Sequence, residues 1–203
     1  MKDNYRNYRN DWILHRNYRG ETNVKASILH SVCKIRELVT YFKRAFDLYK
    51  VSFPEHEQRV LADQIAVLDH PAYHCDVILE DGVFVGILFY WKTPRYCYIE
   101  HFAIDPEMRG NSMGSRCLKQ FCDIHQLVIL EIDPPVDPIS VRRKSFYMRL
   151  GFQENHYEHK HPAYRKQHLP HDLVIMSYPR SITEDEYSEF NDYLKSTIMK
   201  SDF

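Results

Sequence analysis

A short loop that contains two glycines and an arginine is the part of this sequence best suited to binding an anion. Arg109, Gly110 and Gly114 lie in it, between a run that predicts a strand and a run with helical spacing. The first N–H groups of a helix have no partner within the helix, and the helix dipole favours negative charge there. Glycine also lets the backbone come close to a phosphate. The loop is a candidate phosphate site, although two glycines before a helix more often make only a turn.

Two common phosphate-binding motifs do not occur in the sequence. It has no G-x-x-x-x-G-K-[ST] segment, which marks P-loop proteins, and no G-x-G-x-x-G after a first strand, which marks dinucleotide-binding folds. A site in the loop would therefore belong to another class of phosphate binder.

A second candidate is a segment crowded with histidines, NHYEHKHPAYRKQHLPHD at 155–172. Zinc ligands occur at defined spacings, often with cysteine or in an H-E-x-x-H helix, and neither accompanies this segment. We therefore expect no metal here and interpret the segment as a polar loop between the last two strands.

Composition limits the function classes. The chain has 203 residues, of which 44% are apolar, so it can bury a substantial core. Its 27 basic and 28 acidic residues nearly cancel, which gives no overall field that would attract nucleic acid or a membrane surface. The first 20 residues contain no apolar stretch of signal-peptide length, and no apolar run is long enough to span a bilayer, so we expect neither a signal peptide nor a membrane span. The five cysteines are odd in number and form no C-x-x-C pair, which is typical of reduced thiols in the cytoplasm.

The chain is interpreted as one domain with two extensions. Residues 1–25 repeat Tyr, Arg and Asn without any periodicity. Such an arm can stack on single-stranded nucleic acid, but it is more often a surface arm or the contact of a homodimer, and we do not expect nucleic acid as a partner. Residues 26–180 form the patterned domain, and 181–203 a C-terminal helix that packs on it or extends from it.

Periodicity within the domain predicts an α/β fold. A mixed sheet with helices on its faces follows from the order of the elements. We predict strands at 31–36, 77–79, 83–91, 95–104, 127–132, 152–156 and 173–178, with helices at 38–50, 54–69, 113–121, 139–150 and after the capping box at 183–186.

Three segments resemble the GNAT superfamily of N-acetyltransferases. AIDPEMRGNSMGSRCL, at 103–118, is similar to the acetyl-CoA motif of that family, Arg or Gln followed by x-x-Gly-x-Gly or Ala; Ser112 stands where the middle glycine is expected. SFYMRLGF at 145–152 resembles the end of a family helix. KIRELVTYFKRAFDLYKVSFPE at 34–55 resembles its opening strand and helix. Together the segments place the resemblance over about 31–178.

The resemblance implies a mostly antiparallel central sheet with helices on both faces, and acetyl-CoA as co-substrate. Backbone groups of the strand before the loop would pair with the pantetheine arm, and the loop would hold the pyrophosphate. Ser140 takes the place where many relatives carry a cofactor-facing Asn. The cofactor-binding residues implied are Phe102, Ala103, Ile104, Arg109, Gly110, Asn111, Ser112, Met113, Gly114 and Ser140.

Acetyl transfer to an amine needs a base and an acid. A primary amine has a pKa of ~10 and must lose a proton before it can attack, and the departing thiolate benefits from a nearby acid. The resemblance suggests Glu100 as base, the alternative being a strand carboxylate in an ion pair. It suggests Tyr147 as acid, the alternative being a core tyrosine. His161 and Tyr164 lie in the segment that would border the acceptor.

The sequence thus predicts an acetyl-CoA-dependent N-acetyltransferase that works by direct transfer in a ternary complex, with an unidentified amine as acceptor. The alternative is a protein on the same fold that binds CoA or a partner without turnover.

Overall fold

The computed structural model describes residues 32–110 and 112–200, with side chains from residue 41 onward. The N-terminal arm at 1–25 lies outside the described residues, as does Asn111. The helices are α1 (Val32–Ser52), α2 (Leu61–Ala66), α3 (Met113–Asp123), α4 (Pro138–Arg149) and α5 (Glu184–Tyr193). The strands are β1 (Tyr73–Glu80), β2 (Val83–Lys92), β3 (Cys97–Ile104), β4 (Val128–Ile132), β5 (Gln153–Asn155), β6 (Lys160–His161), β7 (His171–Asp172) and β8 (Val174–Tyr178).

A six-stranded sheet in the order β1-β2-β3-β4-β8-β5 forms the centre of the fold. All neighbouring strands run antiparallel except β3 and β4, which are parallel. The predicted mixed α/β architecture with a mostly antiparallel sheet is confirmed. β6 and β7 form a separate two-stranded ladder within the histidine-rich segment.

The sheet has a hydrophobic core on each face. Phe89 and Trp91 of β2 face the core covered by α1, α5 and the π-helical turn at Leu194–Ile198. Leu88 and Tyr90 face the other core, which α3 and α4 cover. Alternate strand residues point to opposite faces, so β2, apolar from Val83 to Trp91, is buried on both sides from Phe84 to Trp91, as its sequence predicts.

The predicted first strand at 31–36 is wrong over its described part. Residues 32–36 form the first turns of α1. A six-residue apolar pattern fits either a strand or a helix. No glycine or proline separates this run from the helical stripe that follows, so one helix continues through both.

The predicted helix at 54–69 is also wrong in part. A 3₁₀ turn at Glu55–Glu57 is followed by an extended break, and α2 begins only at Leu61. Gln58 and Arg59 in the break are buried, and the Gln58 amide donates to the carbonyl oxygens of Lys50 and Phe53. The predicted helix is therefore interrupted at Gln58 and Arg59, whose polar side chains point into the interior.

The later elements follow the predicted order. The Glu80–Gly82 turn closes the β1–β2 hairpin, with Asp81 and Gly82 at positive φ. The Thr183 capping box starts α5, with Glu186 accepting from the Thr183 N–H. None of the helices in the described part of the chain is long and apolar enough to cross a membrane.

Candidate active site

The two parallel strands at the centre of the sheet separate along their length. β3 pairs with β4 only where Cys97–Ile99 meets Val128–Leu130, yet β3 continues to Ile104 and β4 to Ile132. On its other side β3 stays paired with β2. From Glu100 onward, the backbone groups of β3 that point toward β4 therefore have no strand to bond.

A β-bulge marks the point of separation. Phe89 of β2 pairs with His101 and Tyr90 pairs with Ile99, which leaves Glu100 without a partner in the register. A bulge bends its strand and increases the local twist, and bulges are common beside active sites. This bulge turns β3 away from β4 and opens a cleft between them.

The loop after β3 has two residues at positive φ just before a helix begins. Gly110 adopts φ +98, and Ser112 adopts the left-handed conformation with φ 56 and ψ 24. Ser112 thus takes the geometry that glycine takes more easily, and its side chain makes no capping hydrogen bond. α3 begins directly after it, so the amide groups of the first turn of α3 face the loop.

A cavity of about 260 Å³ extends along the cleft. It brings together all four predicted catalytic and substrate-binding residues with one part of the predicted cofactor set. The predicted residues that line it are Phe102, Ala103, Ile104, Arg109, Tyr147, His161, Tyr164 and Glu100. The predicted cofactor residues Gly110, Ser112, Met113, Gly114 and Ser140 do not line it.

Ser140 has a structural partner instead. Its hydroxyl donates to Asp137, and the Asp137 backbone N–H donates to that hydroxyl, so the two residues form the capping box of α4. The side chain is buried at the start of the helix. A cofactor contact by Ser140 stays a prediction, and the hydroxyl would have to leave this cap to make it.

Tyr147 lies on α4 and is half-buried, with its ring against Phe146 and Phe152. Burial raises the pKa of its phenol to about 12. The group is therefore protonated at neutral pH and can donate a proton to an atom in the cavity. The alternative, a tyrosine with only a packing role, agrees with the contacts of the ring in the core. It does not account for the position of the residue in the cavity lining.

Glu100 is held in a buried ion pair. Its side chain has 0% exposure, and Arg59 Nη1 lies 2.6 Å from Oε1. Tyr164 donates to Oε1 at 2.9 Å and the Trp91 indole donates to Oε2 at 3.0 Å. Burial alone would raise the pKa of Glu100, but Arg59, His101 and the Trp91 hydrogen bond together outweigh it, and the pKa lies below its ordinary value. Both oxygens are therefore engaged, and this carboxylate has a low affinity for a proton.

Glu57 is a better candidate for a base, and sequence reasoning missed it. It ends the 3₁₀ turn after α1, lines the cavity, and keeps 21% of its side chain exposed. Burial and the negative charges of Asp133 and Glu131 raise its pKa to about 7, although Arg143 opposes them. Glu57 can therefore exchange a proton near neutral pH.

Glu131 is the third glutamate that lines the cavity, and hydrogen bonds hold its side chain in place. It accepts hydrogen bonds from Tyr98 and His159, and its side chain is 4% exposed. Burial would raise its pKa, but His161 and His159 outweigh that effect and lower it. Glu131 is therefore a fixed negative charge at the wall opposite β3.

The histidine-rich segment supplies the far wall of the cavity. His161 is buried and stacks on Tyr164 with ring centroids 4.9 Å apart, and His171 also lines the cavity. No group of three His, Cys, Asp or Glu side chains within 32–110 and 112–200 is arranged to hold a metal ion. The segment forms a ladder that presents side chains to the site rather than a free polar loop.

The model of the acetyltransferase (GNAT) family matches residues 38–152, which is more than half of the chain. The chain belongs to this family. A search of curated proteins found no match. A solved structure from Bacteroides thetaiotaomicron, assigned to the GNAT family, shares 26% identity and a TM-score of 0.76 over 81% of this chain and 94% of its own.

Two more solved structures are similar at a greater distance. The ribosomal-protein-S18-alanine N-acetyltransferase of Escherichia coli shares 16% identity, with a TM-score of 0.46 over 77% of this chain and 94% of its own. A Bacillus subtilis acetyltransferase in complex with CoA shares 13% identity, with a TM-score of 0.45 over 66% and 90%.

The cavity of this GNAT chain is lined by residues from within the family match and by residues beyond it. Glu57, Glu100 and Tyr147 lie within 38–152. His161 and Tyr164 lie beyond the match but line the same cavity. The wall of the cavity away from the loop after β3 is therefore built in part by a segment outside the matched region.

Proposed function

We propose that this GNAT chain is an N-acetyltransferase that moves the acetyl group of acetyl-CoA directly to a primary amine while both substrates are bound. One observation carries the proposal: a single cavity joins the free edge of β3 to Tyr147 and to the wall formed by His161 and Tyr164. Acetyl-CoA would supply the acetyl thioester, and the chain's own residues would position it and move the protons.

The chain fits acetyl-CoA on two counts. The open edge of β3 from Glu100 to Ile104 offers backbone N–H and C=O groups that could bond the amides of a pantetheine arm, as a strand would. The loop with Gly110 and Ser112 at positive φ leads into the start of α3, which suits a pyrophosphate. The Arg109 Nε donates to the Ile104 carbonyl at 3.2 Å, which ties the loop to β3.

We assign the base to Glu57 in preference to Glu100. A base must be ionised and still bind a proton readily. Glu57, with a pKa of about 7, meets both needs. Glu100 is ionised but bound to Arg59, Trp91 and Tyr164, so we propose that it positions Tyr164 and the extended break that follows Glu57.

Tyr147 is the acid of the proposal. Glu57 would take one proton from the ammonium, and the neutral nitrogen would attack the thioester carbon as the C–N bond forms. Tyr147 would give its proton to the sulfur as the C–S bond breaks. The second proton lost by the nitrogen would replace the one that Tyr147 gave, so one proton is released per acetyl group transferred.

The test measures turnover with acetyl-CoA and a panel of primary amines. The release of free CoA thiol reports the reaction. The variant Tyr147→Phe keeps the ring and its packing but removes the proton donor. A general acid contributes about 10²- to 10⁴-fold, so we expect kcat to fall within that range with CoA affinity little changed.

Tyr193→Phe is the matched control, because Tyr193 is partly buried against Trp91 but does not line the cavity. We expect it to keep wild-type kcat. A Tyr147→Phe enzyme as fast as wild type would return Tyr147 to a packing role. Absence of thiol release with every amine, in a protein that binds CoA, would favour the non-catalytic alternative.

A further inference from the structure

The short turn that carries Glu57 is held from three directions. Within the turn, the Glu57 N–H donates to the Pro54 carbonyl oxygen at 2.9 Å. From β3, His101 Nε2 lies 3.0 Å from the Glu57 carbonyl oxygen, which can only accept, so the imidazole donates to it. The third contact comes from the loop between β6 and β7, residues 162–170, which lies beyond the family match at 38–152. Arg165 of this loop makes it.

Arg165 contacts the chain both before and after Glu57. Its Nη1 pairs with the Glu55 carboxylate, and its Nε donates to the Gln58 carbonyl oxygen at 3.0 Å. The Arg165 side chain is 15% exposed, whereas that of Glu55 is 70% exposed. An exposed ion pair contributes little alone, so the bond to the Gln58 carbonyl is the stronger restraint. The planar guanidinium can make both contacts at once because its donors are fixed in one plane.

The residue before Arg165 fixes the loop to the cavity wall. The Tyr164 hydroxyl donates to Glu100 at 2.9 Å, and its ring stacks on His161 with centroids 4.9 Å apart. The Arg59 guanidinium lies over the same ring at 5.1 Å. Arg165 therefore extends from an anchored point of the loop, and its guanidinium can hold the turn in place rather than follow it.

We propose that Arg165 is a positioning residue that fixes the Glu57 carboxylate in the cavity by holding the turn at Glu55–Glu57. The inference rests on the proposed function, in which Glu57 is the base. Arg165 does not line the cavity, so it acts through the turn and not on a substrate. A base must lie within hydrogen-bond reach of the proton it takes, and a displacement of about 1 Å can cost about 10²-fold in rate. The base of this chain would thus depend on a loop outside the family match.

The variant Arg165→Gln tests the proposal kinetically. We expect kcat/KM at pH 8 to fall about 10- to 100-fold, with CoA affinity unchanged. A turn that moves outward exposes Glu57 to water, and burial is the main cause of its raised pKa of about 7. The acid limb of the kcat/KM profile should therefore move below pH 7, toward 4.5. Loss of a nearby positive charge without movement of the turn would shift the limb upward instead. The variant leaves unchanged the other charged or titratable groups near Glu57, which are His56, Glu131, Asp133 and Arg143.

Arg180→Gln is the matched control. Arg180 also bonds one glutamate, Glu186, and one backbone carbonyl, that of Ser181, but it lies outside the cavity lining. We expect it to keep the wild-type kcat/KM and the wild-type limb. If Arg165→Gln leaves the limb in place or moves it upward, whatever its rate, the proposal is overturned. If Arg165→Gln does not fold, Arg165→Lys is judged by the same criterion; lysine can keep only one of the two contacts, so its downward shift should be smaller.

Hydrogen exchange followed by mass spectrometry tests the role of Arg165 without turnover. The N–H groups of residues 57–59 each donate a hydrogen bond. Exchange in the peptide 54–60 should therefore be faster in Arg165→Gln than in wild type, and unchanged in Arg180→Gln. Faster exchange in a protein that acetylates no amine would support the role of Arg165 in the turn and refute the enzyme. Turnover by wild type, with equal exchange in wild type and Arg165→Gln, would support the enzyme and refute the role of Arg165.

Discussion

The Arg59–Glu100 pair gives the sharpest prediction about stability. The Arg59 and Glu100 side chains are 4% and 0% exposed, so both charges have lost their hydration and each is stabilised by the opposite charge of the other. Removing one partner of a buried pair leaves an uncompensated charge and typically costs ~3–5 kcal/mol. For a chain of this length, 1 kcal/mol shifts Tm by roughly 2–4 °C, so Glu100→Gln should lower Tm by roughly 6–20 °C.

The double variant Arg59→Met, Glu100→Gln should recover much of that loss, because it removes both charges and keeps the volume. Thermal and urea unfolding of wild type, both single variants and the double variant make a double-mutant cycle. Additive losses in the cycle would refute the pairing. Unchanged stability of Glu100→Gln, with a rate deficit that shrinks as pH rises toward the pKa of the amine, would instead restore Glu100 as the base.

Two further predictions test the base and the loop. Ionised Glu57 is required in the proposal, so wild-type kcat/KM should fall as pH drops below about 7, and the pH profile of Glu57→Gln should lose this limb. Because the pKa of folded Glu57 lies above its ordinary value, wild type should also lose stability relative to Glu57→Gln as pH rises from 4.5 through about 7; parallel curves would contradict the assignment. Ser112→Gly should keep both stability and CoA affinity, whereas Ser112→Val, with a β-branched residue at φ 56, should lose ~1–2 kcal/mol in urea unfolding. Equal stability of these two variants would show that the left-handed conformation at this position is not required.

Patterns of adjacent residues were sufficient for most of the fold. The apolar run of β2, the turn at Glu80–Gly82 and the capping box at Thr183 each depend on neighbours in the chain, and the structure has all three where they were predicted. The run at 31–36 was ambiguous because six residues are too few to distinguish the two-residue period of a strand from the 3.6-residue period of a helix. Only its continuity with the rest of α1 decides between them.

The site was harder to predict because its chemistry depends on contacts distant in sequence. Arg59 meets Glu100 across 41 positions, and nothing near Glu100 indicates that its charge is already neutralised. Glu57 is one of several acidic residues around Pro54, and its raised pKa comes first from burial in the fold and then from the charges of Asp133 and Glu131. Spacing located the turn before α3, since the signals of a helix start are local, but it could not indicate which carboxylate was free.

The separation of β3 from β4 has a consequence for the protein without its co-substrate. It leaves two unpaired strand edges inside a sheet, which are templates for pairing with another chain. A bound pantetheine arm would cover the edge of β3, and each bound molecule would stabilise the folded chain by mass action. Protein stripped of CoA should therefore self-associate and lose solubility sooner than protein kept with it, so the supply of CoA would govern how long the fold survives as well as how fast it works.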